Sequence, residues 1–396
     1  MRFGKRRRFL VVAWLAILWL LASPYGGGPC YASSGVGEAP PDRIACDESG
    51  CISQARFAAA LCGGLEGAVA GYACRVGDRP PISGGLARTD EDPPRLAFSG
   101  AVRINVASLA KIATTVLVLR LLEENRLTEE AKIAPFLYRD WRRGPNVERL
   151  TFRDLLTHRS GFEDCEDGET YGQLRAIVVR GARAEAIGKP AYGNCNFALM
   201  RELTPALLHR PLKLTPDGPR RAVASAALFL AALNAKALAP ADIGPRDCRP
   251  ARGALSYPAP PGQAHGESWG DWTTKCGATG LQASADDVQA LLRALLSGET
   301  LLSHETAQRM FSECLGSDCA VGAECPSARF CKRGKLTAPN GAALFAYAGI
   351  VKCDLPVVLI VNSALPPPYR EAADVFALVR DAMKKAAAPG KPAPCR

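Results

Sequence analysis

Ser108-Leu109-Ala110-Lys111 opens an apolar run that reads as a helix over residues 108–124. It places a hydroxyl and an amine at i and i+3, on one helix face. A serine hydroxyl becomes a competent nucleophile when a base removes its proton, and a lysine amine becomes such a base when burial or neighbouring cations lower its pKa. Unpaired N–H groups in the first turn of a helix add donors for a developing oxyanion. A pattern fixed at only two positions also arises by chance in a chain of this length, so its weight comes from the sequence around it.

Working outward, residues 55–64 read as a helix. Residues 67–76 and 82–87 read as two strands, turning at Gly77-Asp78. The stretch from 108 to about 295 is mainly helical by periodicity, with irregular regions at 165–171 and 240–274. Strands return at 330–336, 342–351 and the β-branched run 357–361, and a last helix covers 369–385. Strands at both ends of the chain around a helical middle describe a sheet completed by sequence-distant segments, with a helical lobe beside it and a cleft between them.

The N-terminus, Met1-Arg2-Phe3-Gly4-Lys5-Arg6-Arg7-Arg8, is basic and leads into a charge-free apolar run over 9–22 that is short for a spanning helix. Cys30-Tyr31-Ala32 offers small residues where a signal peptidase reads, so residues 1–32 are expected to be a signal peptide. The other reading of the same pattern is an uncleaved anchor, the one way this sequence would meet a membrane. Pro29, directly before Cys30, argues against a lipoprotein. Residues 33–52, rich in Gly, Pro and acids, read as a linker, and 53–396 as one large domain, a length that can bury a substantial core.

Fifteen cysteines support that division. Without Cys30, fourteen remain, an even number suited to disulfides in an oxidising compartment, periplasmic or extracellular. The close series Cys314, Cys319, Cys325 and Cys331 has wider gaps than paired zinc ligands and encloses no His. Disulfides are therefore expected there, and neither a metal nor another cofactor. The formal charge of +10 falls to +5 once the five Lys/Arg of residues 1–32 are removed, leaving 44 basic and 39 acidic residues. The basic residues are dispersed, which argues against nucleic acid as a partner.

Taken together, the motifs resemble those of the serine beta-lactamase and penicillin-binding-protein superfamily, above all its class C-like branch of D,D-carboxypeptidases, D-aminopeptidases and esterases. After Ser108-Leu109-Ala110-Lys111 come a framework stretch from Leu150 to Phe162 containing Leu155-Leu156-Thr157-His158-Arg159-Ser160-Gly161, then Tyr192-Gly193-Asn194. Gly280-Leu281-Gln282-Ala283-Ser284 and Leu301-Leu302-Ser303-His304 follow, and Lys332-Arg333-Gly334 stands where the branch has Lys-[Thr/Ser/Asn]-Gly. Order and spacing agree over roughly residues 55–385. The resemblance implies an α+β fold (an α/β sandwich): an antiparallel sheet flanked by helices, from about 53–107 and 296–390, plus an all-helical lobe from about 108–295.

The resemblance also implies roles. Ser108 would be acylated and Lys111 would act as base or proton relay. Tyr192, its phenol pKa lowered by two ammonium groups, would pass a proton to the leaving atom. Asn194 would orient Lys111 and the substrate amide, Lys332 would add positive potential beside Tyr192 and towards a substrate carboxylate, and Gly334 would complete the strand motif. The oxyanion would sit between the N–H groups of Ser108 and Lys335. His158 is expected to hold a loop by hydrogen bonds. The substrate would be a small molecule or peptide, cell-wall-derived compounds among them, attacked at an amide or ester.

Arg333 departs from the pattern, replacing the small residue that helps seat a substrate carboxylate with a bulky fork of donors. It would enter the cleft or point out of it. The reading from another class is a catalytically silent scaffold that binds peptidoglycan or peptide without turnover. A rival nucleophile, Ser268 in Gly266-Glu267-Ser268-Trp269-Gly270, matches G-x-S-x-G but lacks a preceding strand and a following helix.

Overall fold

The computed structural model describes residues 42–392, apart from 167, 211–216, 251, 259–263, 299, 323–324, 326–327 and 373. The expected signal peptide at 1–32 lies outside the described residues.

Residues 33–41 of the expected linker also lie outside the described residues, and from residue 44 on the expectation of a linker is corrected by regular structure. Strands β1 (Ile44–Asp47) and β2 (Gly50–Ser53) form an antiparallel hairpin closed by the Cys46–Cys51 disulfide. The disulfide ties a segment whose composition alone suggested a linker. Helix α1 (Gln54–Gly63) follows, its N-terminus capped by Ser53, whose side chain accepts from the Arg56 N–H.

Strands β3 (Gly71–Val76), β4 (Ile82–Arg88) and β5 (Leu96–Ala97) make half of the main sheet. A two-residue strand, β6 (Ile104–Asn105), then leads into helix α2 (Ala110–Glu124). This helix is apolar around its whole circumference, and it is buried everywhere except at Arg120, Glu123 and Glu124. An all-round apolar helix must lie at the centre of a body, and α2 packs against α5 (Asn194–Leu207) and α6 (Pro219–Leu233). Helices α3 (Phe152–Leu156) and α4 (Tyr171–Arg180) complete this lobe, each opened by a Thr capping box. The helical run Pro219–Ala241 is long and apolar enough to cross a membrane by length and composition, but its buried residues join the lobe's core.

Strand β7 (Gln282–Ala283) pairs with β6. Helix α7 (Ala285–Ser297), expected in the helical lobe, packs instead on β3, β9 and β10 of the sheet. Helix α8 (His304–Ser312) lies against β8 (Ala328–Thr337). With β9 (Ala343–Val351) and β10 (Leu355–Val361), this strand gives an antiparallel six-stranded sheet of order β5-β4-β3-β10-β9-β8. The N- and C-terminal segments thus meet at the β3–β10 pairing. The core strands β9 and β10 are buried along their full length, as expected for a sheet covered on both faces. Short helix α9 (Tyr369–Ala372) precedes α10 (Val375–Lys385), which packs with α1 on one face. Strand β11 (Ala387–Ala388) closes the chain against β2.

The expected α+β architecture, an antiparallel sheet flanked by helices beside a helical lobe, is the one observed. Strand β8, at the sheet's edge, faces the residues that lead into α2.

Candidate active site

Beyond β6 the backbone turns sharply. Ala107 has φ 50°, in the left-handed region a residue with a Cβ seldom adopts. Asn105 holds it there, its Oδ1 accepting the Ala107 N–H at 3.0 Å and the Gly280 N–H at 3.2 Å. The turn delivers Ser108 in a short 3-10 helix, Ala107–Leu109, that runs into α2 and touches β8 and β9.

Lys111, one turn on, is fully buried. Its Nζ donates to Ser108 Oγ at 3.0 Å, to Asn194 Oδ1 at 2.8 Å and to the Ala278 carbonyl at 2.8 Å. Burial lowers its pKa and the Lys332 charge adds to that, while Tyr192 opposes. Across from it, the Tyr192 hydroxyl lies 2.8 Å from Ser108 Oγ. The Tyr192 ring sits between two ammonium groups, Lys111 Nζ and Lys332 Nζ, each 5.1 Å from its centroid. Burial raises the phenol's pKa, but the two cations outweigh it and hold the group below its ordinary value.

Asn194 is the first residue of α5, and the Cys165–Cys195 disulfide pins this helix start to the loop before α4. His158 supports the same corner. Its Nδ1 accepts the Gly193 N–H at 3.3 Å, and its ring lies 4.5 Å from that of Tyr192 and 5.1 Å from that of Phe197. Burial, then the charges of Lys332 and Lys111, push its pKa well below the usual imidazole value, so it stays neutral.

The edge strand supplies the remaining wall. Lys332 and Gly334 face Tyr192 and Ser108, whereas Arg333 and Lys335 project from the opposite face of β8. A Cβ on Gly334 would meet the Val106 carbonyl at 2.9 Å and the Ser108 N at 3.3 Å, so glycine here permits the close approach of strand and helix start. The Arg333 guanidinium lies 5.1 Å from the Phe376 ring of α10, and Arg333 is exposed. It lines the outer part of the cleft rather than its floor. The N–H groups of Cys331 and Arg333 point away from β9, to Ser317 Oγ and Asp318 Oδ2. The period of two puts the Lys335 N–H on the same free edge.

These residues share one cleft of about 720 Å³, lined by Ser108, Tyr192, Asn194, Arg333, Gly334 and Lys335 among others. The same walls carry Glu166, Glu169, Trp272, Lys275 and Asp318, which the sequence reading did not single out. Asp318 pairs with Lys332 at 2.5 Å, and only its place between Cys314 and Cys319 could have drawn notice. A second cavity of about 610 Å³ lies in the helical lobe around Tyr138, Glu202 and Arg221, and contains none of the expected site residues.

Ser268 is exposed in an irregular segment joined to the rest by the Ser256–Glu267 bridge, with no strand before it or helix directly after it among the described residues. The cysteine series forms the pairs Cys314–Cys319 and Cys325–Cys331. Cys62–Cys74 and Cys248–Cys276 are also bonded, and Cys353 is in a disulfide.

A family model described as Beta-lactamase matches residues 89–318. No curated protein matches the sequence. Among solved structures, FmtA from Staphylococcus aureus is similar with a TM-score of 0.61 at 13% identity, over 91% of this chain and 95% of that one. A D-stereospecific amidohydrolase from Streptomyces sp. gives 0.55 at 19%, over 82% and 98%. A Beta-Lactamase/D-Alanine Carboxypeptidase from Pseudomonas syringae gives 0.58 at 13%, over 85% and 99%. At these identities the likeness is one of fold.

Proposed function

Since the chain belongs to the beta-lactamase family, whose members are serine hydrolases, we propose that it is itself an active one, cleaving an amide or ester through an acyl-enzyme on Ser108. The observation that carries this reading is the double contact of Ser108 Oγ, with Lys111 Nζ at 3.0 Å and the Tyr192 hydroxyl at 2.8 Å. A hydroxyl touching two groups of lowered pKa can lose its proton to them as it attacks.

In the proposed sequence, Ser108 Oγ bonds to the substrate carbonyl carbon while its proton passes to the Lys111–Tyr192 pair. The oxyanion is received by the N–H groups of Ser108 and Lys335, donors already oriented by the helix start and the edge strand. Tyr192 then protonates the leaving nitrogen or oxygen as that bond breaks. Water attacks the ester, giving its proton to the same pair, and Ser108 recovers a proton as the acid leaves. Asn194 holds the Lys111 amine in line and Lys332 holds the Tyr192 ring. The neighbours named as a D-stereospecific amidohydrolase and a D-alanine carboxypeptidase suggest a D-configured acyl group.

The described disulfides suit an oxidising compartment, and with the basic-apolar N-terminus they support a periplasmic or secreted protein. The test is hydrolysis of D-aminoacyl amides and p-nitrophenyl esters by the purified protein and by its Ser108→Ala variant. Loss of all turnover in the variant supports the reading, and an inactive unmodified protein contradicts it.

A further inference from the structure

Lys332 is fully buried, and its ammonium has a carboxylate of its own. Asp318 Oδ1 lies 2.5 Å from Nζ, and the Asp318 side chain is 3% exposed. The second carboxylate oxygen accepts the Arg333 N–H at 2.8 Å. Beside it, Ser317 Oγ donates to the Cys331 carbonyl at 2.8 Å and accepts the Cys331 N–H at 3.2 Å. Ser317-Asp318 thus stands where a seventh strand would, pairing the free edge of β8 at 331 and 333 and stopping short of Lys335. The Cys314–Cys319 disulfide closes the turn that carries the pair, and Cys325–Cys331 secures the start of β8.

We infer that Asp318 is a specificity-determining residue: it commits the Lys332 ammonium to holding Tyr192, so the cleft takes an acyl donor whose leaving part is neutral rather than one ending in a carboxylate. This rests on the acyl-transfer reading above and narrows its substrate class. A carboxylate brought next to Lys332 meets an ion pair already formed, gaining little attraction from the ammonium and meeting repulsion from Asp318 in a buried, weakly screened place.

The other cations lining the cleft do not replace it. Arg333 and Lys335 are exposed and lie on the far face of β8, the first over Phe376 and the second 5.8 Å from the Phe345 ring. Exposed charges in water hold an anion weakly. Lys275, half-buried, shares its wall with Glu166 and Glu169. Lys111 is spent on Ser108, Asn194 and the Ala278 carbonyl.

The experiment compares N-acetyl-D-alanyl-D-lactate with its methyl ester, two depsipeptides that differ only in the leaving part's carboxylate. For the unmodified protein, kcat/KM is expected to favour the methyl ester by about tenfold, the scale of one charge-assisted contact. Asp318→Asn, which keeps an acceptor for the Arg333 N–H, is expected to erase that preference by lowering KM for the free acid relative to the methyl ester, read as the ratio of the two kcat/KM values within the variant, because loss of the Asp318 charge acts on Tyr192 for both compounds alike. Equal or better turnover of the free acid by the unmodified protein overturns the inference, and this arm decides alone if the variant does not fold. A folded variant with an unchanged ratio also overturns it. If neither compound nor a serine-directed probe acylates Ser108, the hydrolase reading itself fails, a result distinct from an unfavourable ratio.

Discussion

Gly334 lies so close against Ser108 that a Cβ on it would stand 3.3 Å from the Ser108 nitrogen, 3.0 Å from the Ala107 Cβ and 2.9 Å from the Val106 carbonyl. The contacts are largely with backbone, so nothing swings aside to make room. Gly334→Ala must therefore part β8 from the helix start by some tenths of an ångström, moving the Lys335 N–H relative to Ser108. A misplacement of about 1 Å can cost about 100-fold in rate. The expected result is a fall in kcat of up to that size, with KM little changed, measured on a p-nitrophenyl ester. Unaltered kcat would place the oxyanion donors elsewhere.

The pH dependence follows from the ammonium groups around Tyr192. Burial first, then Lys332, lowers the Lys111 pKa. Lys111 and Lys332 together overcome burial to lower that of Tyr192, with Asp318 opposing. The two groups titrate as a coupled pair, and the base is present only above the pair's apparent pKa. kcat/KM is therefore expected to fall as pH drops through a value below the ordinary lysine and tyrosine range. Lys332→Met removes a cation that lowers both groups and leaves the Asp318 charge uncompensated, so its limb should move to higher pH. A limb that stays put would detach Lys332 from this chemistry.

His158 gives a stability prediction of definite sign. Burial, Lys332 and Lys111 hold its folded pKa well below the ordinary 6.5, so below 6.5 the unfolded chain binds a proton that the native state refuses. The contribution is fully present above pH 6.5 and is lost as pH falls through that value, by up to about 1.4 kcal/mol per pH unit. Denaturant unfolding between pH 7 and pH 5 measures it. His158→Gln, less stable at neutral pH through lost packing, should show a flatter dependence over this window. An equal slope in both proteins would assign the acid sensitivity to other groups.

How much of this was legible in sequence can be argued from particular segments. Strands 342–351 and 357–361 were readable because apolar runs bounded by turn residues, the second of them β-branched, mark buried strands, and the helix after Ser108 because its apolar run is long. The one-turn spacing of Ser108 and Lys111, and Tyr192 with Asn194, were legible as a set, because each short pattern alone arises by chance and the order and spacing of all the motifs give them weight. The hairpin at Ile44–Asp47 and Gly50–Ser53 was hidden, since a polar, Gly-rich stretch acquires structure here from a disulfide and from β11, both supplied by tertiary context. Asp318 was hidden for a related reason: it reaches Lys332 across fourteen residues of chain, and nothing in its neighbours predicts that approach. The side on which Arg333 lies depended on the register of β8 with β9, which the strand pairing fixes and local composition does not.

The most direct test of the central claim is the site of acylation. The purified protein is treated with a fluorescent penicillin and, separately, with an ester-type serine probe, then digested with trypsin and mapped by mass spectrometry. The account predicts a single adduct on the peptide Ile104-Asn105-Val106-Ala107-Ser108-Leu109-Ala110-Lys111, at Ser108, from at least one of the two reagents. An adduct on the peptide that contains Ser268, or no adduct from either reagent, would contradict it.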